Sequence, residues 1–359
     1  MSCITKEMND APFPEGNIVE AVRTSCRAFV ADSPVKVSGQ GIELFLEKLD
    51  RLQYLELSND VTIKMPLKFD TVHDEMNFIT VIDLLNFGSG YRVPLHAMVD
   101  RGAFDTIRFG AMSFHIGGTP MDAETFKKMT VFQVAEIFQL PIDREVRHET
   151  LDFVTLTQPT ELRPFADGLT SVINTTGEYL VEHGYKDLAQ FIMDHVKTAP
   201  QDACSLVKHF AQHLPGLFDK YKFDGHVVYL YKKAQIIVYH LYLTFREQLP
   251  EYFDFKDIDQ LTIFSDNVIP TLLTELGVLQ IPESWQTQIT ANQDLSLQQA
   301  TTLRAAAVVA CDDIVMAAKT VGPIPDMSTG ALDVYLWRLA KEGDYRKIPR
   351  FQLKETVMF

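Results

Sequence analysis

What most constrains this chain is a recurring interval of three and four between apolar residues, which a helix can gather on one face and a strand cannot. Gly41 to Gln53 places Ile42, Leu44, Phe45, Leu49 and Leu52 at such intervals. Thr176 to Val196 repeats the pattern through Tyr179, Leu180, Leu188, Phe191, Ile192 and Val196, with an interruption expected near Gly184. Val207 to Leu217, Tyr231 to Phe245, Ile269 to Leu276, Ala300 to Ala318 and Leu332 to Lys341 read as helices on the same ground. Pro120 to Leu140 reads as a helical pair, with Asp122 capping the first helix and Thr130 the second. Strand signals are few. Pro66 to Val72 and Asp100 to Phe114 combine some alternation with Gly or Pro breaks, which predicts one small β element in the N-terminal half. No fixed-period repeat or low-complexity tract is visible. The expected architecture is mainly α: a flexible, polar N-terminus over 1–16, then a single large helical domain over 17–359. A soft lobe boundary is expected between Pro141 and Pro164.

With 359 residues, 46% of them hydrophobic, the chain can bury a large core. No apolar run is long enough to span a bilayer, and no basic segment followed by an apolar core opens the sequence, so neither a membrane span nor a secretory signal is expected. Cys3, Cys26, Cys204 and Cys311 are scattered without CxxC pairing and read as thiols of a reducing compartment, the cytoplasm first and the nucleus second. The net charge of −15 argues against gripping a nucleic acid through many phosphates, and points instead to a small ligand carrying some positive charge. No coiled-coil heptads appear, so a monomer is expected. His209 and His213 have metal-ligand spacing, but the run HFAQH lacks the metalloprotease glutamate and no third ligand suggests itself. Neither a metal nor a cofactor is expected.

Several segments could carry chemistry. Phe223 to Phe245 sets Lys232 and Lys233 between Tyr231 and a nearly unbroken apolar run. A lysine against an apolar wall is costly unless it meets an anion, although both could instead reach water at a helix start. In Leu261 to Leu279, Ser265, Asp266 and Asn267 form a polar break ahead of Pro270. Asp266 there could cap the next helix, or hold a negative charge at a cleft. Asp83 and Asn86 lie three apart and would share a helix face, with Gly88-Ser89-Gly90 beyond them as a helix stop. Arg304 and Asp312 punctuate an otherwise apolar helix, and Asp333 is flanked by large apolar residues.

Taken together, YKKAQI at Tyr231 to Ile236, LTIFSDNVIPTLL at Leu261 to Leu273, LRAA at Leu303 to Ala306, ALDVYLW at Ala331 to Trp337 and IDLLNF at Ile82 to Phe87 resemble the queuosine salvage family, the queuosine 5′-phosphate N-glycosylases. With the EAVRTS stretch from Glu20, the likeness spans nearly the whole chain from about Asn17. It departs at Gly88-Ser89-Gly90-Tyr91, where relatives are often richer in aromatics, and at Lys232-Lys233, where Lys-Arg is usual. The family is similar in fold to helix-hairpin-helix DNA glycosylases, and HLPGLFDKY at His213 to Tyr221 is faintly similar to their hairpin loop.

The resemblance implies hydrolysis of queuosine 5′-monophosphate to free queuine for salvage into tRNA modification. Asp266 would stabilise the ribosyl cation and orient water, with Lys232 as its catalytic neighbour. Lys232 and Lys233 would meet the 5′-phosphate or the sugar, and Phe264 and Tyr231 would wall the base. Asp333, Asp312 and Asp83 are candidates for the cationic amine of the queuine side arm. Ser265, Asn267, Asn86 and Phe87 complete the expected substrate-binding set. Two other readings stay open at this point: a DNA base-excision glycosylase, which would need a basic face, and a non-catalytic queuine-binding protein.

Overall fold

The computed structural model describes residues 11–59, 67–151 and 153–359. Many of its helices begin where short polar side chains can take the first free N–H groups. Asn17 opens α1 (Ile18–Ala31), Ser38 opens α2 (Gly39–Lys48), Asp50 opens α3 (Arg51–Leu57) and Thr71 opens α4 (Val72–Leu84). After α5 (Arg92–Val99) and α6 (Ala103–Ile116), Asp122 caps α7 (Ala123–Lys128) and Thr130 forms a capping box with Gln133 at α8 (Val131–Phe138). Then come α9 (Arg163–Glu182), α10 (Leu188–Val196), α11 (Ala203–His213), α12 (Lys232–Phe245), α13 (Pro250–Phe253), α14 (Val268–Glu275), α15 (Glu283–Thr290), α16 (Leu297–Ala318) and α17 (Thr329–Leu339). The protein is mainly helical, as the apolar spacing requires.

Local departures from the sequence reading have physical causes. The single helix expected over Gly41 to Gln53 is two, because Leu49 turns extended and Asp50 caps a new start. Asp100 to Phe114 is not strand: α6 buries Ile107, Ala111 and Phe114 at helical intervals, and Gly110 is there because the Phe138 ring occupies the space a Cβ would need. Val72 begins α4, Leu67 to Phe69 have no regular structure, and Pro66 lies outside the described residues. The strands fall elsewhere, in antiparallel pairs: β1 (Lys36–Val37) with β6 (Leu279–Gln280), β2 (Asp143–Arg147) with β3 (Thr155–Pro159), and β4 (Lys220–Phe223) with β5 (His226–Tyr229). Hairpin β2–β3 lies between Pro141 and Pro164. Hairpin β4–β5 separates the Pro215–Leu217 turn from the lysine-bearing helix α12. Ala11 to Phe13, placed by sequence in a loose leader, are anchored: Tyr229 donates to the Pro12 carbonyl at 3.0 Å, Lys220 donates to that of Ala11, and Phe13 leans on Tyr231. The rest of that leader, Met1 to Asp10, lies outside the described residues.

Helix α16 is apolar almost all round, and Ala300 to Cys311 are buried without a break, so it runs through the interior rather than along a face. It packs on α1, α2, α14 and α17, while α12 packs on α4 and α11. Gly177 lets α9 lie against α7, since a Cβ there would strike the Lys127 backbone. One core cluster extends from Ile18 to Phe359. No helix among the described residues is long and apolar enough to cross a membrane.

A deeply buried ion pair lies on this frame. Arg304 of α16 and Asp219, ahead of β4, are 0% and 2% exposed and form a bidentate bridge at 2.9 and 2.7 Å. Asp219 also accepts from the Lys232 N–H, and Arg304 also donates to the Ser265 carbonyl at 2.9 Å, with Phe359 beneath its guanidinium.

The paired histidines have a packing role. His209 is stacked between Phe191 (4.1 Å) and His195 (4.2 Å), with His213 edge-on at 4.9 Å. Burial, reinforced by the other two imidazoles, holds His209 down at about 3, and burial also lowers His195 and His213. In the unfolded chain an imidazole takes its proton near about pH 6.5. Between these values the unfolded state binds the extra proton, so the stabilisation is complete above about pH 6.5 and drains away as pH falls towards His209's folded value. Urea midpoints measured across that interval are therefore expected to fall with pH, and to fall less steeply in His209→Phe. Parallel curves for the two proteins would contradict the neutral stack.

Candidate functional site

The site begins where two helix ends meet. The chain leaves β5 through Tyr231, whose φ of 50° turns it sharply into α12, and the Asp219 carboxylate takes the first N–H of that helix. Cations at a helix N-terminus are ordinarily unfavourable. Here Lys232 and Lys233 point inward and donate to the Asn86 and Leu84 carbonyls, both at 2.9 Å, so they rest on the negative, carboxyl end of α4. Lys233 also lies over the Phe87 ring. Burial pulls Lys232 below its ordinary range, with the nearby Asp266 carboxylate opposing the shift.

Asp266 stands in the turn before α14. Its Oδ1 accepts from Val268 N at 2.6 Å and Ile269 N at 3.3 Å, so it does cap the helix. It also lines a cleft. Capping and cleft placement coincide, because the side chain that holds the helix start is the one facing Lys232. Asn267 ties the turn to the Phe351 carbonyl, Arg304 holds the Ser265 carbonyl, and Asp333 Oδ1 accepts from Phe264 N at 2.8 Å.

The cleft has a narrow inner part of about 50 Å³ and a wider outer part of about 290 Å³. Asn86, Phe104, Lys232, Asp266 and Trp337 border both. Ile236, Tyr239, His240, Phe264, Asp333 and Val334 close the inner end. Trp337 stands edge-on to Phe104 at 5.4 Å, and the ring of Tyr239 tilts against Phe264. His240 Nδ1 lies 2.7 Å from Asp83 Oδ2, with both side chains buried.

The outer part is cationic. Arg92, His96, Lys341, Arg346 and Arg350 line it, with Asp105 among them. Burial pushes Lys341 down to about 8. Burial, and then the neighbouring Arg92, brings Arg350 down to about 10, and burial with Arg346 beside it lowers Arg92. In a chain of net charge −15, this gathers positive groups that repel one another unless an anion sits between them.

Of the residues singled out from sequence, Lys232, Asp266, Phe264, Asp333 and Asn86 meet in the inner cleft, and Phe87 and Asn267 line its outer part. The others lie apart from the lining. Asp312 pairs with Arg23 of α1 at 3.1 Å, its carboxyl raised by burial. Tyr231 is buried against Tyr229, Lys233 sits beneath α4, and Ser265 contributes its carbonyl to Arg304. Asp83 reaches the cleft only through His240. It does not share a helix face with Asn86, because α4 ends at Leu84. Sequence reasoning missed His240, Tyr239, Trp337, Phe104 and the outer cations. One signal was available: Lys232, Ile236 and His240 recur every four residues, on one face of α12. Among the described residues no cluster of His, Cys, Asp and Glu is arranged to hold a metal.

Comparison with known proteins places this geometry in a family. The chain is 24% identical over 198 residues to the queuosine 5′-phosphate N-glycosylase/hydrolase of Schizosaccharomyces pombe, an alignment covering 54% of each chain. It is 27% identical over 184 residues to the protein of that name from Sphaerobacter thermophilus, covering 50% of this chain and 53% of that one. It is 25% identical over 200 residues to the one from Bos taurus, covering 52% and 56%. The chain thus spans about half the length of the curated relatives it matches. The family model described as queuosine salvage protein matches residues 115–357, a range that holds Lys232, His240, Asp266, Asp333 and Trp337. The chain belongs to the queuosine salvage protein family.

Proposed function

We propose that this protein hydrolyses the N-glycosidic bond of queuosine 5′-monophosphate and releases queuine. The observation that carries the reading is the Asp266 carboxylate facing Lys232 between an aromatic inner cleft and a cationic mouth. The three parts of the substrate match the three parts of the cleft. The flat base enters between Phe104, Trp337, Tyr239 and Phe264. The ribose lies at Asp266, and the phosphate meets Arg92, Lys341, Arg346 and Arg350. This moves the phosphate away from Lys233, which the cleft does not reach. Of the carboxylates considered for the amine of the side arm, Asp333 is the one lining the inner end.

As the C1′–N bond stretches, positive charge grows on the sugar, and a fixed carboxylate beside it stabilises that charge and accepts a proton from the attacking water. Two backbone N–H groups hold the Asp266 carboxyl in place before substrate arrives. Lys232 borders the same cleft beside it, anchored by its bond to the Asn86 carbonyl.

Asn caps a helix about as well as Asp, so Asp266→Asn separates the two roles of this side chain. Its kcat for queuine release is expected to fall on the order of 10²–10⁴-fold, with a thermal midpoint close to that of the wild type. Activity within about threefold of wild type, measured against that range, would overturn the assignment. Removing a mouth cation by Arg350→Gln is expected to lower kcat/KM for the 5′-monophosphate by roughly 10–100-fold, the worth of a charged hydrogen bond, and that for unphosphorylated queuosine much less. Equal losses on both would remove the phosphate from the mouth.

A further inference from the structure

We infer that His240 is the acid that protonates the departing base and that Asp83 is its positioning residue. The assignment rests on the glycosidase reading above and adds to it the group that acts on the leaving side of the bond. Helix α12 carries Lys232, Ile236 and His240 along one face, which places His240 about 12 Å along the axis from Lys232, towards the closed end where the base lies. Asp83 does not line the cleft. Its bond to Nδ1 therefore fixes that edge of the imidazole towards α4 and turns the Nε2 edge to the cavity.

The pair is 8% and 1% exposed, and Asp83 Oδ1 accepts no hydrogen bond among the described residues. A buried carboxylate so poorly supplied with donors is costly to maintain, and a positive charge on the imidazole it touches offsets that cost. The chemistry of the substrate calls for such a group. Ordinary purines can be made better leaving groups by protonation at N7, but a 7-deaza base has carbon there. A proton must come to another atom of the ring system.

The step balances as follows. The C1′–N9 bond breaks and its electron pair stays with the base. The Nε2–H proton of His240 passes to an acceptor on the pyrimidine side of the base, N3 or the exocyclic oxygen, and a proton shift in water gives the N9–H product. Water oxygen bonds to C1′, its proton goes to Asp266, and solvent carries that proton back to His240. Among the described residues, the charged groups that bond the imidazole or line the inner cleft with it include Asp83 from α4, Asp333 from α17, Lys232 from its own helix and Asp266 from the turn before α14.

The test compares two leaving groups in wild type, His240→Gln and Asp83→Asn. One substrate is queuosine 5′-monophosphate. The other is 4-nitrophenyl ribofuranoside 5′-phosphate, whose phenolate departs without a proton. His240→Gln is expected to lose on the order of 10²–10⁴-fold on the first and less than about tenfold on the second, and also to lose the alkaline fall in its kcat profile. Asp83→Asn should show the same selectivity with a smaller loss, and activity on the nitrophenyl substrate reports that each variant is folded. Equal losses on both substrates, or no loss on the nucleotide, would overturn the acid while leaving the functional reading intact. A wild-type protein that leaves queuosine 5′-monophosphate whole overturns both.

Discussion

The bridge between Arg304 and Asp219 joins three segments that are far apart in sequence. Arg304 comes from the buried helix α16, Asp219 lies before hairpin β4–β5, and the guanidinium's remaining edge holds the Ser265 carbonyl. Asp219 in turn accepts the first N–H of α12. One ion pair therefore sets the start of the helix that carries Lys232 and the start of the turn that carries Asp266. A buried pair is weak evidence of net stabilisation, because desolvation takes back much of the Coulomb gain. Its use here is registration: the distance between a cation and a carboxylate across a cleft is fixed by groups that have no room to move.

Around that fixed point, charge is arranged by location rather than by total. The chain is acidic overall, yet Lys232 under the carboxyl end of α4 and Arg92, Lys341, Arg346 and Arg350 at the mouth line one concavity. The lysines that would be misplaced at the start of α12 are supported by the carbonyls they touch, so opposing helix ends compensate each other. This local positive field inside a negative molecule suits a small phosphorylated ligand and offers little to a long polyanion. Deeper in, the walls become aromatic and the polar groups few, which is the environment of a flat base.

Much of the helical frame was legible because burial imposes its period on the sequence. Asp122 and Thr130 cap the helices they were expected to cap, and Gly184 falls at the break between α9 and α10. Asp100 to Phe114 misled because its glycines looked like breaks, whereas Gly110 makes room for a ring arriving from α8. Asp266 and Lys232 were visible as polar residues in apolar company. Asp312 looked equally promising and proved to be the partner of Arg23, since the sequence cannot say which helix faces an acidic side chain. The outer cations were invisible for the opposite reason. Arg346 and Arg350 sit in ordinary polar stretches and matter only because the chain folds them opposite Arg92.

The account stands on the geometry that Arg304 imposes, and Arg304→Lys examines it directly by keeping the charge while removing the fork that grips Asp219 and Ser265 together. The measurement is single-turnover release of queuine from queuosine 5′-monophosphate, per folded molecule, well below the variant's melting temperature. A misplacement of Asp266 against Lys232 should slow that release on the order of 10²-fold, although no atom of Arg304 lines the cleft. Release at the wild-type rate from a folded Arg304→Lys protein would contradict the claim that this bridge positions the site.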